Sequence, residues 1–118
     1  MIVAVDLPPS PFAAHSHYLK VRDRASYAFA LVSVAAALDL RDGVVRDAAL
    51  ALGGVAHRPW RVAAAESSLI GKPLDDASIS VAGDHLLAGA RPLKDNAFKV
   101  ELARRSIMRA LQTAGGLA

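Results

Sequence analysis

Asp42-Gly43, set between two runs of strand length, constrains this chain more than any other feature. Before it, Tyr27 to Leu40 contains no Gly, no Pro and a single charge, Asp39. After it, Val44 to Leu52 leads into Gly53-Gly54. An Asp-Gly pair in that setting is a strong hairpin signal, because a two-residue turn needs positive φ and glycine adopts it at little steric cost. The first run alternates as a two-faced strand does, with Tyr27, Phe29, Leu31 and Ser33 on one side and Ala28, Ala30, Val32 and Val34 on the other. Its alanines suit a helix equally well, and Ala36-Ala37-Leu38 alone does not decide. The Asp-Gly turn and the β-branched restart at Val44-Val45 favour the hairpin.

Composition bounds what surrounds that hairpin. A chain of 118 residues has the length of one domain with a real core, so residues 1–118 are read as a single domain. Hydrophobic residues make up 53% and aromatics 5%, so Ala, Val and Leu must build that core rather than rings. Without cysteine the chain has no disulfide, no iron–sulfur cluster and no thiolate zinc site of its own. A formal charge of +3 is too mild to argue for nucleic acid. No apolar run reaches the roughly 20 residues of a membrane helix. The short N-terminal apolar run has no basic leader, so a secretion signal is not expected.

Along the chain, Met1–Val5 is β-prone and Asp6-Leu7-Pro8-Pro9-Ser10-Pro11 ends it. His15 and His17 would share one side of a strand, but no carboxylate or thiolate accompanies them; an exposed loop is expected there, not a metal site. Gly53 to Arg61 crosses from sheet to helices, with Trp60 expected under the first helix and its indole N–H in need of a partner. His57 has no carboxylate placed to orient it as a base.

Three helices are predicted next. The first runs from Arg61 or Val62 to Ile70, closed by Gly71. The second is capped by Asp75 or Asp76 and runs to about Ala88, with Ile79, Ala82, Leu86 and Leu87 inward and local fraying at Gly83. The third is capped by Asp95 and runs through Thr113, with Ala97, Val100, Ala103, Ile107, Ala110 and Leu111 in its apolar stripe. Lys99, Arg104, Arg105 and Arg109 fall largely outside that stripe. A strand, a hairpin pair and three helices predict an α+β fold: a three-stranded antiparallel sheet with the helices packed on one face. No nucleophile–base pair, paired carboxylates or metal cluster is legible, so the chain alone is not a complete active site.

The segments YLKVRDRASYAFALVSVAAALDL, GGVAHRPWRVAAAE, LIGKPLD and DNAFKVELARRSIMRAL stand in this order over most of the chain. Together they resemble the C-terminal domain of the FAD-binding (medium) subunit of molybdenum hydroxylases. That family includes xanthine dehydrogenases, carbon monoxide dehydrogenase and aldehyde oxidoreductases, and the closing segment is similar to the aldehyde oxidoreductase branch. The resemblance implies a fold like the CO dehydrogenase flavoprotein C-terminal domain, with Met1–Val5 a strand entering from a preceding FAD domain. It implies FAD in the full subunit, and as partners an N-terminal FAD-binding region, an iron–sulfur small subunit and a molybdopterin large subunit, in the cytoplasm. Electrons would pass from molybdenum through iron–sulfur clusters to the flavin. The Gly-rich loops that cradle the FAD pyrophosphate are not in this sequence, since Gly53-Gly54 lacks the further glycines and following helix of a dinucleotide fingerprint.

Lys20, in the Tyr-Leu-Lys slot, is the residue this resemblance turns toward the isoalloxazine ring. Arg24 matches a basic position in the same loop, and Asp23 could pair with Arg22 or Arg24 to hold its shape. Read without the resemblance, Lys20 to Arg24 is a solvated strand connection. A second reading of the whole chain is a non-catalytic interaction or dimerisation module, such as a homodimer, that keeps the fold without the cofactor.

Overall fold

A computed structural model of the protein describes residues 1–117. Strands β2 (Val32–Arg41) and β3 (Val44–Gly53) pair antiparallel around Asp42-Gly43. Both turn residues take positive φ, 53° and 75°, as a two-residue hairpin requires. Strand β1 (Ser16–Val21) lies antiparallel on the other side of β2, giving the order β1-β2-β3. The register shifts between Asp39 and Leu40, so that Asp39 faces Asp47 while Leu40 faces Val45 and Arg46 is left over as a bulge.

Two strand expectations need correction. Met1–Val5 is exposed and forms no strand. With β1 on one side of β2 and β3 on the other, that run has no partner left on the central strand. The first sheet strand is instead Ser16–Val21, which takes in Ser16 and His17 where a loop was expected. Second, β2 begins at Val32 rather than at Tyr27. Tyr27 has a φ of 52°, a left-handed conformation that breaks an extended run, and its carbonyl accepts a hydrogen bond from the Arg24 guanidinium. Tyr27 and Phe29 are accordingly almost fully exposed, at 94% and 98%.

The helices are α1 (Ala63–Leu69), α2 (Asp76–Leu87) and α3 (Phe98–Ala114). Gly71, just beyond α1, takes a φ of 78°. Helix α2 opens with a reciprocal cap: the Asp75 carboxylate accepts from the Ser78 N–H at 2.8 Å, and Ser78 Oγ accepts from the Asp75 N–H at 3.1 Å. The helix then runs unbroken through Gly83. Helix α3 starts at Phe98 without a side-chain cap, so Asp95 does not serve as one. Residues 94–97 wind into a turn first, and Asn96 Oδ1 accepts from the Leu93 N–H at 2.6 Å.

Strand β2 sends Val32, Val34, Ala36 and Leu38 to the helix side, where they are buried with Leu50 and Leu52 of β3. Helix α3 lies on β2 and β1, α1 lies against β3, and α2 packs on α1 and α3. The core is built from Leu, Val, Ile and Ala, as the low aromatic content requires. The outer edge of β3 is closed. Leu52 and Trp60 exchange backbone hydrogen bonds of 2.9 Å, the Val45 N–H donates to Lys72 O, and the Gly71 N–H donates to Val45 O. Between them the Leu50 N–H donates to Glu66 Oε1 of α1 at 2.9 Å.

The cap of α2 carries a pH signature. The Ser78 N–H, foremost among its hydrogen bonds, holds the Asp75 carboxyl below its ordinary value of 3.8. A lowered folded value means stability that is present above 3.8 and lost as pH falls through the folded value. Asp75→Asn keeps a capping acceptor but cannot ionise. The native chain is expected to melt above this variant at neutral pH, with the gap closing in strong acid. Thermal melts across that range check it; a gap that persists in strong acid would show the carboxylate charge to be irrelevant.

Candidate functional site

Opposite the helices, the sheet presents a face of mostly small side chains. Its rows are Lys20–Ser33–Gly53, Tyr18–Ala35–Ala51 and Ser16–Ala37–Ala49, each crossing β1, β2 and β3 in register. Period-2 alternation produces it, because the apolar residues of β2 and β3 point to the core and leave alanines on the other side. A Cβ at Gly53 would meet Ser33 Oγ, so a larger residue there would have to turn the Ser33 hydroxyl aside. A shallow concavity of about 330 Å³ spans the alanine rows, bordered by Tyr18 and Arg61.

Arg61 is fixed in place. Its Nε and Nη2 donate to Glu66 Oε1 at 2.9 and 2.7 Å, the same oxygen that takes the Leu50 N–H. One carboxylate therefore ties the strand edge, helix α1 and the rim of the concavity together.

Lys20 lies in β1 on this helix-free face, exposed and opposite Ser33. It forms no ion pair among the described residues. Arg24 turns to the Tyr27 carbonyl and closes the loop leading into β2. Asp23 pairs with neither Arg22 nor Arg24 among the described residues, so the loop is shaped by that carbonyl contact and by the Leu31 N–H bond to Val21 O at 2.8 Å. His15 Nδ1 lies 3.1 Å from Ala114 O at the end of α3.

Trp60 does not pack under α1. It is 38% exposed, and its indole N–H donates to Leu86 O near the end of α2 at 3.1 Å. The basic residues of α3 are only partly free: Arg104 pairs with Asp84 of α2 at 2.5 Å and Arg105 with Glu101 at 2.8 Å.

Sequence reasoning singled out Lys20 but not the surface it borders. The signal was present in the alternation of Ala35 and Ala37 with Val34, Ala36 and Leu38, and of Ala49 and Ala51 with Leu50 and Leu52. A planar aromatic system can lie against such a face without meeting a long side chain. At one corner Lys20 supplies a positive charge and Tyr18 a ring, with Ser33 buried between Lys20 and Gly53 in the first row.

Residues 17–114 match the family described as CO dehydrogenase flavoprotein C-terminal domain. The chain is 48% identical over 114 residues to the aldehyde oxidoreductase FAD-binding subunit PaoB of Escherichia coli (strain K12), covering 97% of this chain and 32% of that protein. Among solved structures, quinoline 2-oxidoreductase from Pseudomonas putida 86 superposes with a TM-score of 0.80 at 27% identity, covering 89% of this chain and 38% of that one. Carbon monoxide dehydrogenase from Hydrogenophaga pseudoflava, in a form lacking the Mo-pyranopterin moiety, gives a TM-score of 0.80 at 26% identity over 90% and 38%. The chain thus spans about a third of the length of the curated relative it matches.

Proposed function

Because this chain belongs to the CO dehydrogenase flavoprotein C-terminal domain family, we propose that it is the C-terminal domain of an FAD-binding subunit of a molybdenum hydroxylase and that it covers the flavin with the helix-free face of its sheet. The observation that carries this reading is the alanine-paved, shallowly concave face with Lys20 at its corner. FAD, when bound, supplies the redox centre that receives electrons from iron–sulfur clusters. In this reading residues 1–118 act as one domain beside an N-terminal FAD-binding region. An iron–sulfur small subunit and a molybdopterin large subunit complete a cytoplasmic assembly.

The residues present fit a planar ring system better than a whole dinucleotide. Alanine rows offer contact area and exclude water from one side of a ring. Lys20 is the exposed cation on β1 beside them, and Ser33 is buried. No Gly-rich phosphate loop occurs in the sequence, so the pyrophosphate contacts fall to the N-terminal region. Lys20 would hold positive charge near the ring edge, where it favours the more negative, reduced state and so raises the potential.

Lys20→Met in the FAD-loaded subunit tests this, because Met keeps much of the apolar stem and removes the charge. The flavin potential should fall by the equivalent of about 1 kcal/mol, a Coulomb estimate at the high effective dielectric of a partly solvated site. FAD occupancy should change little. Lys72→Met, in the exposed turn between α1 and α2, serves as the control. Equal potentials in the two variants would return Lys20 to a solvated strand position.

A further inference from the structure

We propose that a second concavity, between the β3–α1 loop and the facing ends of α2 and α3, binds a small monocarboxylate carrying one apolar ring. Its volume is about 230 Å³. Pockets for drug-sized ligands run to roughly 300–1,000 Å³, so a molecule of one ring suits this smaller space better than a larger ligand. Leu52, Leu86, Val100 and Ala103 give it apolar lining, and Trp60 forms part of its wall.

Charge selects the head group. Lys99 and Arg91 line the concavity, and no Asp or Glu does. Neither cation forms an ion pair among the described residues. Three carbonyls of the lining residues are engaged. Leu86 O accepts from the Trp60 indole at 3.1 Å and Leu87 O from the Ala90 N–H at 3.0 Å. Gly54 O accepts from Lys99 Nζ at 2.9 Å, which fixes that ammonium at the concavity and leaves it further N–H donors. An anion with an apolar body satisfies both the free donors and the greasy lining; a neutral ring satisfies only the lining, and a bare anion only the donors. The proposal stands apart from the flavin reading, since it concerns the other side of the sheet and its test needs this chain alone.

Trp60 is the only tryptophan, so its emission reports on this concavity directly. Cyclohexanecarboxylate, which is transparent where indole absorbs, is the probe. It should change Trp60 emission saturably, and cyclohexylmethanol should bind at least about tenfold more weakly, as the loss of a charge-assisted hydrogen bond implies. Lys99→Met and Arg91→Gln, each checked for native circular dichroism, should weaken the carboxylate by about tenfold without altering the alcohol. Amide and indole N–H shifts in nuclear magnetic resonance give a second readout independent of fluorescence. Absence of saturation in both readouts overturns the proposal, as does equal affinity for acid and alcohol. Saturable binding of an acidic, Phe-bearing peptide with no response to the carboxylate would overturn it in favour of a peptide groove.

Discussion

Leu50→Ala is expected to destabilise the fold by about 2–5 kcal/mol, the range for truncating a fully buried leucine. Leu50 is 0% exposed and sits in β3 on the helix side of the sheet, opposite Ala36 of the central strand. Ala36 is too small to swing into the space left behind. The backbone cannot close it either, because the Leu50 N–H is held by Glu66 and the neighbouring strand edge by Trp60. The cost should therefore lie toward the upper half of the range. Urea unfolding followed by circular dichroism measures it, and a loss near that of a surface substitution would mean that the sheet is not packed on the helices as described.

Gly54→Ala is expected to cost about 2–4 kcal/mol, combining left-handed strain with a backbone collision. Its φ is 75°, and an added Cβ would stand 2.9 Å from Leu31 O and 3.0 Å from Ala30 O. Those are main-chain atoms, and Leu31 is held in turn by its N–H bond to Val21 O. The residue therefore has two independent reasons to be glycine. Gly71 separates them, since its φ is 78° but, among the described residues and apart from its chain neighbours, no atom lies within 4 Å of an added Cβ. Gly71→Ala should cost about 1–2 kcal/mol from the left-handed conformation alone. If both variants melt together, the contact between Gly54 and the lead-in to β2 does not form in solution.

The hairpin was legible because Asp42-Gly43 carries its turn geometry in its chemistry, and both residues take the positive φ that chemistry allows. The ends of α1 and α2 were legible for the same reason, through Gly71 and Asp75. Ser16–Val21 was not, because a short edge strand is defined by pairing with β2 rather than by a local pattern, and Met1–Val5 is the more β-prone string. Asp95 and Asn96 are adjacent plausible caps, and only the turn over residues 94–97 decides against the first. Lys20 was singled out by the resemblance alone. The face beside it depended on whether the alanines belong to a strand or a helix, which their identity leaves open.

The two borders of the sheet differ in a way that limits how copies of this chain can associate. Along β3 the main-chain groups are already engaged by Trp60, Lys72, Gly71 and Glu66. Along β1 no further strand follows among the described residues. A unit with one sealed border and one receptive border can join a twin border to border, but the pair then offers sealed borders at both ends. Sheet extension by folded copies stops at two, so runaway polymerisation would first have to strip α1 and the Trp60 crossing from β3.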